Sequence, residues 1–91
     1  MTDDDRKGEE LYDAARDGNE EKVLKILSER IHLVNWINKS WSGATPLYIA
    51  CQNGHEKVVE ILIKNGANVN SMTTDGETPL HIACQNGHEK V

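Results

Sequence analysis

Phenylalanine is absent from the 91 residues, cysteine and proline occur twice each, and the large aromatics are two tryptophans and two tyrosines. Two cysteines close at most one disulfide, which excludes a cystine-rich scaffold. No apolar run approaches the roughly 20 residues that span a bilayer, so membrane insertion is not expected. A basic surface is missing too. Residues 1–21 hold nine acids and three bases, and residues 22–91 hold six and seven. A phosphate-binding face needs clustered Lys and Arg, so nucleic acid is not an expected partner. The opening MTDDDRKGEE is acidic and has no apolar stretch, unlike a signal peptide. Its run Asp3-Asp4-Asp5 reads as part of a solvated, flexible segment over residues 1–8. The expected setting is intracellular, with the cytoplasm first.

What is present is repetition. TPLYIACQNGHEKV begins at Thr45 and TPLHIACQNGHEKV at Thr78, 33 positions later, and only Tyr48 against His81 differs. A period of this length signals units that shelter their apolar faces on one another. Within the complete unit, Thr45 suits an N-cap and Pro46 the first helical position. Leu47, Ala50 and Cys51 share one face of a short helix that ends near Asn53-Gly54. A second helix is expected from about His55 to Lys64, with a broad stripe of Val58, Val59, Ile61, Leu62 and Ile63. Beyond Asn65-Gly66 the segment ANVNSMTTDGE lacks helical periodicity, and Asp75-Gly76 reads as the tip of a hairpin-like turn.

TPLH at Thr78–His81, the following Ala-Cys, Gly54 and Gly87, the Val-Val and Ile-Leu stripe, and Gly66-Ala67-Asn68-Val69-Asn70 resemble the ankyrin repeat. A thinner copy precedes them, displaced by 36: Leu11, Ala14, Ala15, Gly18, Val23, Ile26 and Leu27. Asp13, Lys22 and Lys25 replace apolar residues there, as a capping unit requires. The resemblance implies an all-α solenoid of stacked helix-turn-helix units with extended, hairpin-like fingers. One domain would then span 9–91, with repeats near 9–44 and 45–77 and a shortened one over 78–91. Val91 matches Val58, so the third copy stops inside its second helix. Leu80, Ile82, Cys84, Val91, Val59 and Leu62 are expected to lack a neighbour, which makes end-to-end packing or a homo-oligomer an expectation.

No catalytic constellation stands out, and neither an enzyme nor a cofactor is expected. Cys51…His55 and Cys84…His88 have a superficial metal spacing, but a closed zinc site wants four converging ligands. The histidines of TPLH and of the Gly-His pairs are expected to serve the fold, and the two cysteines to be small core residues without a disulfide. Asp13, Asp17, Glu20 and Glu21 read as the wet face of the cap.

The irregular segment is NWINKSWSGA, Asn35 to Ala44, a finger two residues longer than its counterpart that carries both tryptophans. Tryptophan combines large apolar area with one donor and is enriched where proteins bind. Trp41 is a candidate contact near the tip. Trp36 is a second candidate, or a residue tucked against the stack. The resemblance implies partner contact along the fingers and first helices. Here these are Lys39, Ser40, Trp41, Ser42 and Ala44, then Thr73, Thr74, Asp75 and Glu77, with Gln52, Asn53, Gln85 and Asn86 from the helices. The expected function is a non-enzymatic protein-binding scaffold for a protein partner. The alternative is a targeting segment of a larger enzyme whose catalytic part lies beyond Val91.

Overall fold

The computed structural model describes residues 2–85 and Gly87, with the backbone alone at Cys84 and Gln85. Asn86 and residues 88–91 lie outside it.

Among the described residues, five α-helices form two rows. α1 (Asp3–Asp17), α3 (Pro46–Gln52) and α5 (Pro79–Gln85) make the inner row; α2 (Glu20–Glu29) and α4 (Glu56–Lys64) make the outer one. α3 packs between α1 and α5, and α2 packs on α4, as stacked copies require. Leu11, Leu47, Val23, Val58 and Leu62 are sealed between the rows. Each such side chain contributes about 1.5–3 kcal/mol by leaving water.

The ends of the helices follow their sequences. Thr45 Oγ1 accepts from Tyr48 N at 3.2 Å, and Pro46 opens α3 without a stranded donor. α1 closes at Gly18, whose φ of 72° is left-handed. A Cβ there would also come within 2.7 Å of His55 Nδ1, so both backbone and space require glycine.

Residues 3–8, expected as a flexible tail, form the first turns of α1 instead. Thr2 caps them by accepting from Asp5 N at 3.1 Å, and the three aspartates lie where the helix dipole favours negative charge. Arg30, beyond the end of α2, bonds Asp3 and reaches Asp4 at 2.9 Å, while His32 Nε2 meets the other oxygen of Asp4 at 3.0 Å. The Arg30 hydrogen bond, followed by that of Arg6, holds the Asp3 carboxyl below its usual range.

The repeats are joined by specific polar bonds. His55 Nε2 lies 2.8 Å from the Arg16 carbonyl, which also accepts from Asn53 Nδ2 at 3.1 Å. Asn35 makes a reciprocal pair with the next repeat: its amide donates to Gly66 O at 3.1 Å, and its oxygen accepts from Asn68 N at 2.7 Å.

The flank beyond α4 and α5 matches expectation at Leu80, which is exposed, and differs at three other positions. Val59, Leu62 and Ile82 are buried in the core, where α4 packs on α2 and α3 and α5 packs on α3. The exposed apolar residues on that side are Ile63, Val69 and Leu80. The Cys84 side chain and Val91 lie outside the described residues.

Candidate binding groove around Trp41

The first finger is closed by Asn38 and Ala44, which pair in antiparallel fashion with Asn38 N donating to Ala44 O at 2.9 Å. Its tip is wound into a short 3-10 helix, Lys39–Trp41. Asn38 fixes that turn, since its side-chain oxygen accepts from Ser40 N at 3.0 Å. Ser42 then turns the chain back with a φ of 54°, a left-handed conformation that costs a non-glycine residue about 1–2 kcal/mol. The Ser42 carbonyl accepts from Thr74 N at 2.9 Å, which ties the first finger to the second. The second finger is a turn closed by Thr73 N donating to Glu77 O at 3.0 Å.

This construction lifts Trp41 off the stack: its side chain is 67% exposed. Trp41 borders two cavities. One, of about 360 Å³, is bounded by Tyr12, Arg16, Tyr48, Gln52 and Asp75. The other, of about 480 Å³, is bounded by Asp5, Glu9, Asp13, Trp36, Ile37 and Lys39. Together they form a groove between the fingers and the inner helices.

The two tryptophans have different jobs. Trp36 is partly buried against the core, with its ring 6.4 Å from that of Tyr12 at an interplanar angle of 65°. Its indole N–H approaches Asp5 Oδ1 at 3.5 Å. The Thr2 hydroxyl, and then this indole, lower the Asp5 carboxyl below its ordinary range. The ring lies directly over Gly8, where a Cβ would be 2.4 Å from Cγ.

Of the other expected contacts, Lys39, Ser40, Ser42, Thr74 and Asp75 are exposed on the fingers, and Gln52 is half-buried at the groove. Ala44 and Thr73 are buried and close their turns. Ala44 thus presents little side chain, because its methyl group belongs to the core. Glu77 accepts from the Tyr48 hydroxyl at 3.4 Å, and Asn53 holds the Arg16 carbonyl. The Gln85 side chain and Asn86 lie outside the described residues.

The structure adds groove residues that the sequence reading passed over: Tyr12, Asp13, Arg16 and Tyr48. The displacement of 36 pairs Tyr12 with Tyr48 and Arg16 with Gln52, so the inner-helix pattern was present. Asp13, expected on a wet outer face, borders the cavity and holds Arg16 at 3.3 Å, while Asp17 holds it at 3.1 Å. Burial raises the Tyr12 phenol above its ordinary pKa, and burial and then Glu77 raise that of Tyr48, so both remain neutral hydrogen-bonding groups at physiological pH.

Cys51 is a free, buried thiol, and burial pushes it up to about 11, far from nucleophilic. Among the described residues, no group of three His, Cys, Asp or Glu side chains is placed to hold a metal ion. No described helix is long and apolar enough to cross a membrane.

A family model described as ankyrin repeats, in three copies, matches residues 11–91. Oxysterol-binding protein-related protein 1 of Mus musculus is 44% identical over 71 residues, covering 70% of this chain and 8% of that protein. Its Homo sapiens counterpart is 42% identical over 69 residues, covering 68% and 7%. A protein fem-1 homolog of Drosophila melanogaster is 38% identical over 65 residues, covering 68% and 10%. The chain thus matches a tenth or less of the length of these relatives.

Proposed function

Because the chain belongs to the ankyrin-repeat family, we propose that it is a non-enzymatic recognition module that receives a segment of a partner protein in the groove around Trp41. Ankyrin repeats are in general protein-protein interaction modules. The observation that carries the choice of surface is Trp41 itself, 67% exposed on a finger held by backbone bonds and bordering two cavities. Rigid walls reduce the ordering cost of association, so an exposed indole can act as an anchor. The much greater length of the relatives supports a role as the recognition segment of a larger protein. A buried free thiol suits a reducing, intracellular setting.

The test is selection from a random peptide library on the 91-residue chain, followed by affinity measurement on variants. Trp41→Ala should weaken the selected peptides by about tenfold or more, the scale of a binding hot spot. Its unfolding free energy should change by less than about 0.5 kcal/mol, as for an exposed side chain. Peptides that bind equally well to the parent, Trp41→Ala and Gln52→Ala would refute the choice of surface.

A further inference from the structure

The half of the groove between α1 and the first finger has a chemistry that specifies its occupant. Its finger wall is apolar and aromatic: Trp36, the 52%-exposed Ile37 and the 67%-exposed Trp41. Its helical wall carries Asp5, Glu9 and Asp13, four residues apart and therefore in line along α1. Two cations border it. Arg16 is held by Asp13 and Asp17, which leaves Lys39 as the cation near Asp5. Counting Asp17, four carboxylates stand against two cations, a net of −2. An aromatic wall opposite a carboxylate wall suits a cation that has an apolar stem, since indole faces attract cations and pack alkyl chains.

Spacing narrows this further. Residues four apart on a helix rise about 6 Å. Alternate side chains of an extended strand lie about 6.6–6.8 Å apart on one side. Two basic side chains with one residue between them would therefore meet Asp5 and Glu9 together while their stems pass Trp36 and Trp41.

We propose that this half of the groove binds an extended, basic partner segment with arginine or lysine at alternate positions. The inference rests on the groove reading above and names the chemistry of its occupant. Trp41 supplies the stacking face, Glu9 and Asp5 the counter-charges, and Ile37 further apolar surface on the finger wall. An acidic segment would place like charges along α1 and be rejected.

The experiment uses three labelled ten-residue peptides on one template, with Arg, Gln or Glu at alternate positions, titrated by fluorescence anisotropy against the 91-residue chain. Circular dichroism verifies that each variant is folded. The Arg peptide should bind about tenfold or more tighter than the Gln and Glu peptides. Glu9→Lys and Trp41→Ala should each weaken it by about the same factor. Glu21→Lys, which makes the same charge change on α2, should leave it unaltered. Equal weakening by Glu9→Lys and Glu21→Lys would reduce the attraction to net charge and overturn the site. Failure of the Arg peptide to bind would overturn it as well. If the Gln or Glu peptide binds as tightly and depends on Trp41, the basic specificity is refuted while the groove reading stands. If none of the bound peptides responds to Trp41→Ala, both are refuted.

Discussion

Gly8→Ala tests the seat of Trp36, and the expected sign is unusual. In the middle of an ordinary helix, exchanging glycine for alanine gains about 1 kcal/mol. Gly8 is inside α1, but a Cβ there would be 2.4 Å from Cδ1 and Cγ of Trp36 and 2.5 Å from Cδ2. Those atoms belong to the body of the indole, so a small adjustment of a flexible tip cannot relieve the overlap. Overpacking costs about 1–3 kcal/mol. A displaced indole also forfeits the edge contact with Tyr12, about 0.5–1.5 kcal/mol. Subtracting the helical gain leaves a net loss of about 2 kcal/mol. With a urea slope of about 1–3 kcal/mol/M, the unfolding midpoint should fall by roughly 1 M, read by far-ultraviolet circular dichroism. The decisive comparison is the same substitution in a Trp36→Ala background, where the obstacle is gone and Gly8→Ala should stabilise by about 1 kcal/mol. Stabilisation with Trp36 in place would show that the ring does not sit on Gly8. A loss that persists without Trp36 would assign the cost elsewhere.

Asn53 and His55 share the Arg16 carbonyl, so each partly replaces the other. Asn53→Ala and His55→Ala should each cost about 0.5 kcal/mol or less in urea unfolding, and the double variant should exceed the sum of the two by about 0.5 kcal/mol; simple additivity would refute the shared acceptor. Ser42→Gly relieves a left-handed residue and should stabilise by about 0.5–1 kcal/mol after glycine's entropic cost, and a destabilised variant would contradict this. The Cys51 thiol, raised from 9.0 to about 11 by burial, keeps its proton more tightly in the folded chain than in the unfolded one. Its contribution to stability is therefore intact below pH 9 and is lost as pH rises toward 11. Across that window the parent's thermal midpoint should fall more than that of Cys51→Ala, and parallel curves would refute the shift.

The stack was legible because the chain writes one unit nearly twice. Thr45-Pro46 starts α3, Asn53-Gly54 ends it, and the Val58–Ile63 stripe fixes α4. The N-terminus was misread on composition. An aspartate run looks like a solvated tail, yet Thr2 followed three residues later by Asp5 is a helix-start pattern, and the partners Arg30 and His32 lie 26 to 28 positions away. Trp36 could be placed only by noticing that Gly8 interrupts a helix and leaves room for a ring, a match across distant sequence. Val59 and Leu62 were expected on a bare flank because periodicity gives the face of a helix but not which neighbour covers it. The groove's inner wall was available through the Tyr12–Tyr48 correspondence, while of its acidic α1 edge Asp5 fell within the expected tail and Asp13 on the expected wet face of the cap.

Asn38 and Ala44 meet backbone to backbone, and the tie from Thr74 to Ser42 likewise asks nothing of the Ser42 side chain. The span from Lys39 to Trp41 is thus a cassette: its letters can be exchanged while its two anchorages and the pitch of the array stay put, whereas Gly43, at a φ of 72°, has to remain glycine. Altering the finger's share in whom the molecule greets would then require rewriting those three positions, with the load-carrying framework inherited unchanged.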